Sequence, residues 1–292
     1  MPSWGEILRR VNSGETIDGV RRDYLKRLSE ITGRNTIAYY SGWLQKPGIT
    51  STAINDDDKN GFMSTIYGLD RSKGLDIILH TPGGDTAATE SIVDYIRRMF
   101  NDDIRAIVPQ IAMSGGTMIA CSCKEIIMGK QSNLGPIDPQ FGGIPAYGVI
   151  EEFERAIDEV KRNPETIPIW QEVVRKYHPT FIGECEKAIK WSGEIVEKWL
   201  KTGMFKSEVN ADVKSRKVVE SLNEHEVSKS HSRHIHIDEC KEIGLKILEL
   251  ECLEDNLQDL VLSIHHAFMI TFSGTNAVKI IENQNGNAYI IG

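Results

Sequence analysis

No stretch of this 292-residue chain holds the roughly 18 to 20 consecutive apolar residues that a bilayer-spanning helix needs. The opening MPSWGEILRRVNSGET is charged throughout and lacks the apolar core of a secretory signal, so a cytoplasmic protein without a membrane span is expected. Cysteine is scarce. The five present (Cys121, Cys123, Cys185, Cys240 and Cys252) are odd in number and scattered, and Cys121-Ser-Cys123 is too tight for a Cys-x-x-Cys pair. Reduced, buried thiols are therefore expected rather than a disulfide framework. Basic charge is also short, with 34 Lys+Arg against 42 Asp+Glu and a net charge of −8, which argues against nucleic-acid or anionic-membrane partners. Apolar residues are not short. At 40% hydrophobic and 26% charged the composition is that of an ordinary globular protein, long enough to fold without covalent staples.

The first thirty residues repeat apolar positions at helical spacing (Ile7, Leu8, Val11; then Val20, Tyr24, Leu25, Leu28, Ile31), with a Ser-Gly break at 13–14. Thr36-Ile-Ala-Tyr-Tyr40 reads as a first strand, Gln45 to Asn60 as a polar loop, and Phe62 as the start of a helix. Strands and helices then alternate. Leu75-Asp-Ile-Ile-Leu-His80 runs into Thr81-Pro-Gly-Gly84, and Asp85 or Thr86 caps a helix with Ile92, Val93, Ile96, Met99 and Phe100 on one face. Ile104-Arg-Ala-Ile-Val108 leads through Met113-Ser-Gly-Gly116 to a short helix and to Glu125-Ile-Ile-Met128. This spacing predicts parallel strands with crossover helices, an α/β core. Beyond Pro145 the pattern is mainly helical and ends in a Gly/Asn-rich tail. No linker interrupts it, so one domain over residues 1–292 is expected, with an α/β core at about 35–160 and a mainly helical extension at 161–292.

Two strand ends carry glycine pairs, Gly83-Gly84 and Gly115-Gly116. In an open parallel sheet, ligands bind beyond the carboxyl ends of strands. Glycine there lets backbone N–H groups approach a substrate, and two such ends can supply two donors to one developing oxyanion. Ser114, directly before the second pair at a helix start, is placed to act as a nucleophile or simply to cap the helix. Spacing alone leaves both open. Neither pair lies in G-x-G-x-x-G or G-x-x-x-x-G-K-[ST], which weakens a nucleotide reading.

Taken in order, His80-Thr-Pro-Gly-Gly84, Ala112-Met-Ser-Gly-Gly-Thr-Met-Ile-Ala120 and Leu134-Gly-Pro-Ile-Asp-Pro-Gln140 resemble the serine dehydrogenase proteinase family. That family is a branch of the Clp-fold, signal-peptide-peptidase-like serine peptidases of the ClpP/crotonase superfamily. The resemblance covers residues 35–160 most strongly, with later pieces at Arg233-His-Ile, at His265-His-Ala-Phe and at Lys279-Ile-Ile-Glu-Asn283. It implies an α/β fold of repeated β-β-α units with a helical C-terminal extension. It also implies a serine peptidase or acyl hydrolase with Ser114 as nucleophile, Gly84 and Gly115 supplying the oxyanion-hole N–H groups, no cofactor, a peptide or protein substrate and a homo-oligomer.

The base departs from the pattern. Clp-type relatives place a histidine about 25 residues after the serine, and Ile137-Asp-Pro139 stands there instead. Signal-peptide-peptidase-like relatives use a downstream lysine, and the segment where the family would carry one reads Pro145-Ala-Tyr-Gly-Val-Ile-Glu151. Lys161 and Lys176 lie in the same general region, with Lys161 the candidate base, although a lysine base must be desolvated. Asp138 is a candidate to orient a base or to cap a turn between prolines. His225, His231, His234 and His236 approach metal-ligand spacing in a polar stretch that reads as a loop, so no metal is expected. Trp170, Trp191 and Trp199 are expected to pack helices. Two further readings stay open, a non-catalytic scaffold or sensor of the same fold and a crotonase-like acyl-thioester binder.

Overall fold

A computed structural model describes residues 4–223, 233–253 and 256–292. Helices α1 (Trp4–Asn12) and α2 (Ile17–Thr32) flank the predicted Ser-Gly break. Thr16 caps α2 by accepting from the Gly19 N–H at 3.1 Å, and Gly33 ends it in the left-handed region at φ 66°. Strand β1 (Asn35–Ser41) is followed by α3 (Asp58–Ile66), β2 (Leu75–His80), α4 (Thr86–Phe100), β3 (Ile104–Val108), β4 (Ile111–Ala112), α5 (Gly115–Cys121), β5 (Glu125–Met128) and β6 (Asn133–Leu134). A hairpin, β7 (Gln140–Phe141) and β8 (Ile144–Pro145), leads into α6 (Ala146–Arg162), α7 (Ile167–Val174), α8 (Phe181–Thr202) and α9 (Ala211–Asn223). The chain closes with β9 (Ile235–His236), α10 (Ile237–Glu242), β10 (Ile247–Glu249), α11 (Leu257–Gly274), β11 (Lys279–Asn283) and β12 (Ala288–Ile291).

The main sheet has the order β10-β5-β3-β2-β1-β11-β12. Neighbours from β10 to β1 are parallel, and β11 and β12 are antiparallel additions at one edge. Strands β1 and β2 are buried along their whole length, which is why they read as near-continuous apolar runs. Ile37, Tyr39, Ile77, Leu79, Ala106 and Val108 pack against α3, α4, α5, α8 and α9. Alternate residues Ala38, Tyr40, Ile78 and Ile107 pack on the other face, against α1, α2 and α11. A small sheet, β4-β6-β9, takes β4 from the chain after β3 and β6 from the chain after β5, as the second strands of two β-β-α units. The α/β fold of such units is as expected.

Two elements differ from the sequence expectation. Helix α3 begins at Asp58, four residues before Phe62, because the Asp58 side chain turns into the core instead of facing water. The region after residue 160 is not only helical. Strand β10 joins the sheet at one edge, and the Gly/Asn-rich tail folds as the β11–β12 hairpin at the other. All five cysteines are free, and only Cys252 is exposed. Among the described residues no helix is long and apolar enough to cross a membrane.

Candidate active site

The carboxyl ends of β2 and β3 are stitched together just beyond the sheet. Thr81 and Ala112 form a parallel bridge, with the Met113 N–H donating to the Thr81 carbonyl at 3.0 Å. The chain after β2 turns through Gly83 (φ 90°) and Gly84 (φ 156°), where a side chain would be strained. A Cβ on Gly83 would meet Ser114 Cβ at 2.6 Å, and one on Gly84 would run into the backbone N and O of Ile54. Both positions thus require glycine for space as well as for conformation. Asp85 then caps α4, its Oδ1 accepting from the Ala88 N–H at 2.7 Å.

Ser114 sits at the N-terminal end of α5 with φ 49° and ψ −115°, one of three non-glycine residues at positive φ among those described. Holding a serine there costs on the order of 1–3 kcal/mol, and the surrounding bonds enforce it. The Gly116 N–H donates to the Met113 carbonyl at 2.7 Å and the Met118 N–H to the Ser114 carbonyl at 3.0 Å. Thr117 Oγ1 ties this turn to its neighbours by donating to the Ala112 carbonyl (2.9 Å) and accepting from the Gly135 N–H (3.0 Å). The Ser114 side chain is half-buried and makes no capping bond. The plain cap reading therefore has no support in the geometry.

The N–H groups of Gly84 and Gly115 have no hydrogen-bond partner among the described residues. A Cβ on Gly115 would lie 3.6 Å from the Gly84 nitrogen, so the two donors are close neighbours. The Gly84 amide stays free because Ile54 bonds around it. Ile54 donates its N–H to the Gly83 carbonyl (2.8 Å) and accepts from the Asp85 N–H (2.9 Å). Gly115 is buried, where backbone amides are nearly always paired, and Gly84 is exposed at the cavity, so the unbonded Gly115 amide with the Gly84 amide beside it and the strained serine forms a ready pair of donors for an anionic oxygen.

Ser114, Gly83 and Gly84 open onto a cavity of about 730 Å³. Met118 and Ile137 line it on the side of the main sheet, Phe141 of the β7–β8 hairpin lines it next to α8, and α8 closes the far wall with Glu184, Lys187, Ala188 and Trp191. Their spacing of three, four and seven residues places these four on one face of the helix. Lys187 Nζ pairs with Glu184 Oε1 at 3.2 Å, and both side chains are largely exposed.

Ser114, Gly84 and Gly115 lie together, and Lys161, Lys176 and Asp138 lie apart from the cavity lining. Lys161 is on the exposed last turn of α6 and does not line the cavity, nor does the exposed Lys176. Asp138 is 1% exposed and lies beneath the cavity wall formed by its neighbours Ile137 and Pro139. Burial, together with Asp138, pushes the Tyr147 phenol upward. Among the described residues no side chain hydrogen-bonds the Ser114 hydroxyl. Sequence reading missed Lys187, Glu184 and Ile54. It assigned Trp191 to helix packing, whereas the ring is 40% exposed and faces the cavity. The i, i+3, i+4, i+7 pattern at 184, 187, 188 and 191 was the available signal. His80 is buried on the opposite face of the sheet, its ring 4.3 Å from that of Trp43 and 5.1 Å from that of His265. His225 and His231 lie outside the described residues, and among the described residues no group of three or more metal-ligating side chains is close enough to hold an ion.

A family model of ClpP-like SDH-type serine proteinases matches residues 21–255, taking in β1 to β10 and leaving β11 and β12 outside. An uncharacterised protein of Methanocaldococcus jannaschii is 28% identical over 194 residues, which are 66% of this chain and 59% of that protein. A second uncharacterised protein of the same organism is 37% identical over 102 residues, 35% of either chain. The matched part is thus less than two thirds of the length of each relative.

Proposed function

The chain belongs to the ClpP-like SDH-type serine proteinases, and from that premise we propose that it hydrolyses peptide bonds with Ser114 as the nucleophile. The observation that carries the proposal is the pair of unbonded N–H groups, Gly84 and Gly115, beside a strained and half-buried serine at the mouth of a cavity. Attack of Ser114 Oγ on a substrate carbonyl forms a C–O bond and moves the carbonyl electrons onto oxygen. That oxyanion accepts from the two glycine amides, which are already oriented and bonded to no other group among the described residues. Collapse expels the amine and leaves an acyl-serine, which water hydrolyses.

The hydroxyl proton must leave as the bond forms and must reach the departing amine. Lys187 is the lysine that lines the cavity, and in the proposal it takes this role. Without substrate it is solvated and paired with Glu184. A peptide filling the cavity would exclude water from this end of α8 and bring the Lys187 amine next to the reacting groups, so in the proposal the base is completed on binding. Met118, Ile137, Phe141 and Trp191 suit an apolar side chain of the substrate next to the scissile bond.

The test is covalent labelling with a fluorophosphonate, read with cleavage of an unfolded protein. The expected result is one label on Ser114, lost with hydrolysis in Ser114→Ala while the fold is kept. A folded wild-type chain that neither labels nor cuts sinks the peptidase reading and leaves a scaffold of the same fold.

A further inference from the structure

The oxyanion-hole glycine is held by a segment with no obvious reason of its own to stay in place. Residues 53–55 leave a turn at Thr50–Thr52 and run beside Gly83-Gly84 without belonging to the main sheet. Two hydrogen bonds from Ile54 fix Gly84 between them. What fixes Ile54 lies one residue to either side. The Ala53 carbonyl accepts from Lys279 Nζ at 2.7 Å, and the Asn55 N–H donates to Asp58 Oδ2 at 3.1 Å. Lys279 and Asp58 are themselves paired, Nζ to Oδ1 at 2.7 Å and to Oδ2 at 2.9 Å, and neither side chain has any exposed surface.

The Tyr39 hydroxyl adds a third group to the cluster, donating to Asp58 Oδ2 at 2.7 Å. Through Ile54, which bonds the Gly83 carbonyl and the Asp85 N–H, the cluster holds backbone groups on both sides of Gly84. Lys279 and Asp58 do not line the cavity and cannot touch a substrate. Burying an ion pair is costly, and an apolar pair of the same size often stabilises a fold at least as well. An apolar pair could not bond the Ala53 carbonyl or the Asn55 amide. What the charges supply here is direction.

We infer that the buried Lys279–Asp58 pair, with Tyr39, positions the Ile54 clamp and through it the Gly84 amide of the oxyanion hole. The inference rests on the proposed hydrolysis for its catalytic consequence but not for the clamp itself. Lys279, Asp58 and Tyr39 are positioning residues. Loosening the clamp lets the Gly84 N–H turn away, and a lost oxyanion donor lowers kcat by about 100-fold or more with little effect on substrate binding.

The test uses the full chain with the isosteric neutral pair Asp58→Asn/Lys279→Met, and Tyr39→Phe as a milder variant should the pair fail to fold. Amide exchange is followed at Ile54 and Asp85, whose N–H groups make the clamp bonds, with the amides of β3 as reference. The expected result is exchange faster by about tenfold or more at those two amides and unchanged in β3. With it, kcat falls by about 100-fold in the pair and about tenfold in Tyr39→Phe, at a KM within about twofold. Folded variants whose Ile54 and Asp85 exchange as in the wild type overturn the inference, whether or not the protein cuts peptides. Faster exchange with an unchanged kcat overturns the positioning role. A wild type that never hydrolyses fails the proposed function separately, and the exchange measurement still judges the clamp.

Discussion

Strand β11 carries a fully buried charge on each face of the sheet, and the two do different work. On the back face, Glu282 binds Arg21 of α2 at 2.5 Å and Arg22 at 2.7 Å, and Arg21 also reaches Thr271 of α11 at 3.0 Å. On the cleft face, Lys279 binds Asp58 and the Ala53 carbonyl. The back-face network joins two helices whose apolar residues already pack on the sheet. The cleft-face pair holds a short irregular segment whose own packing is little more than the Ile54 side chain. Charges of opposite sign at equal depth thus govern different properties. Where packing is redundant, the pair matters for stability mainly because losing one partner leaves the other charge buried and uncompensated. Where packing is thin, the ion pair decides a local geometry.

The strongest test of this division lies on the back face. Arg21→Met keeps the aliphatic bulk and leaves a buried carboxylate with only the half-exposed Arg22. Removing one partner of a buried pair costs about 3–5 kcal/mol. Urea unfolding should show a loss near the lower end of that range, since Arg22 stays in place. Under conditions where the variant is folded, kcat per molecule should match the wild type. A matching fall in kcat would mean that the two faces are not separable.

How much of this was legible follows from distance along the chain. Ser114, Gly115 and Gly84 were readable because each sits at the end of an apolar run followed by its own helix start, and the motif is complete within about forty residues. The core strands β1, β2, β3 and β5 were readable because burial on both faces leaves an unbroken apolar signature. Strand β11 was not. Its Lys279, Glu282 and Asn283 look like the residues of a polar tail, and their burial makes sense only once Asp58, Arg21 and the Thr65 carbonyl are in place opposite them. Asp58 and Lys279 are 221 residues apart. Lys161 illustrates the same problem from the other end. Its nearness to the motif in sequence said nothing about the direction of α6, which carries it into solvent, while α8 brings Lys187 to the cavity from further along the chain.

That last contrast gives a smaller-scale test of the cleft face. Its sheet half is fixed by buried backbone bonds, whereas its α8 half is exposed and packs on a small satellite cluster around Ala146, Val149 and Cys185. If the base is completed only on binding, Lys187→Met should lower kcat by about 100-fold, the low end for a general base, and leave fluorophosphonate labelling less affected because that reagent brings its own good leaving group. Lys161→Met should leave both unchanged. Steady-state rates and labelling rates of the two variants separate the candidates. An inactive Lys161→Met beside an active Lys187→Met would return the base to α6.

The mildest effect returns to the back face, where pH separates stability from chemistry. His265 of α11 and His80 of β2 are packed edge to face, 5.1 Å between ring centres, beneath Tyr40 and Trp43. Burial pushes His265 down to about 3, with His266 adding to the shift, and burial likewise holds His80 well below the usual histidine range, with His265 adding to it. In the unfolded chain both titrate near the ordinary value of about 6.5. As pH falls through that value the unfolded state takes up protons that the folded state refuses. The stability contribution of the two neutral rings is therefore complete above about pH 6.5 and is lost progressively on the way down toward the folded values. Each histidine costs at most about 1.4 kcal/mol per pH unit, and the window between about pH 6 and pH 5 lies above the range where most carboxylates titrate. Urea unfolding across that window should show the wild type losing roughly twice as much per unit as His265→Gln, in which only His80 remains to be charged. Equal slopes in the two proteins would mean that the cluster admits a proton while folded, and the acid sensitivity would then have to be sought on the cleft face.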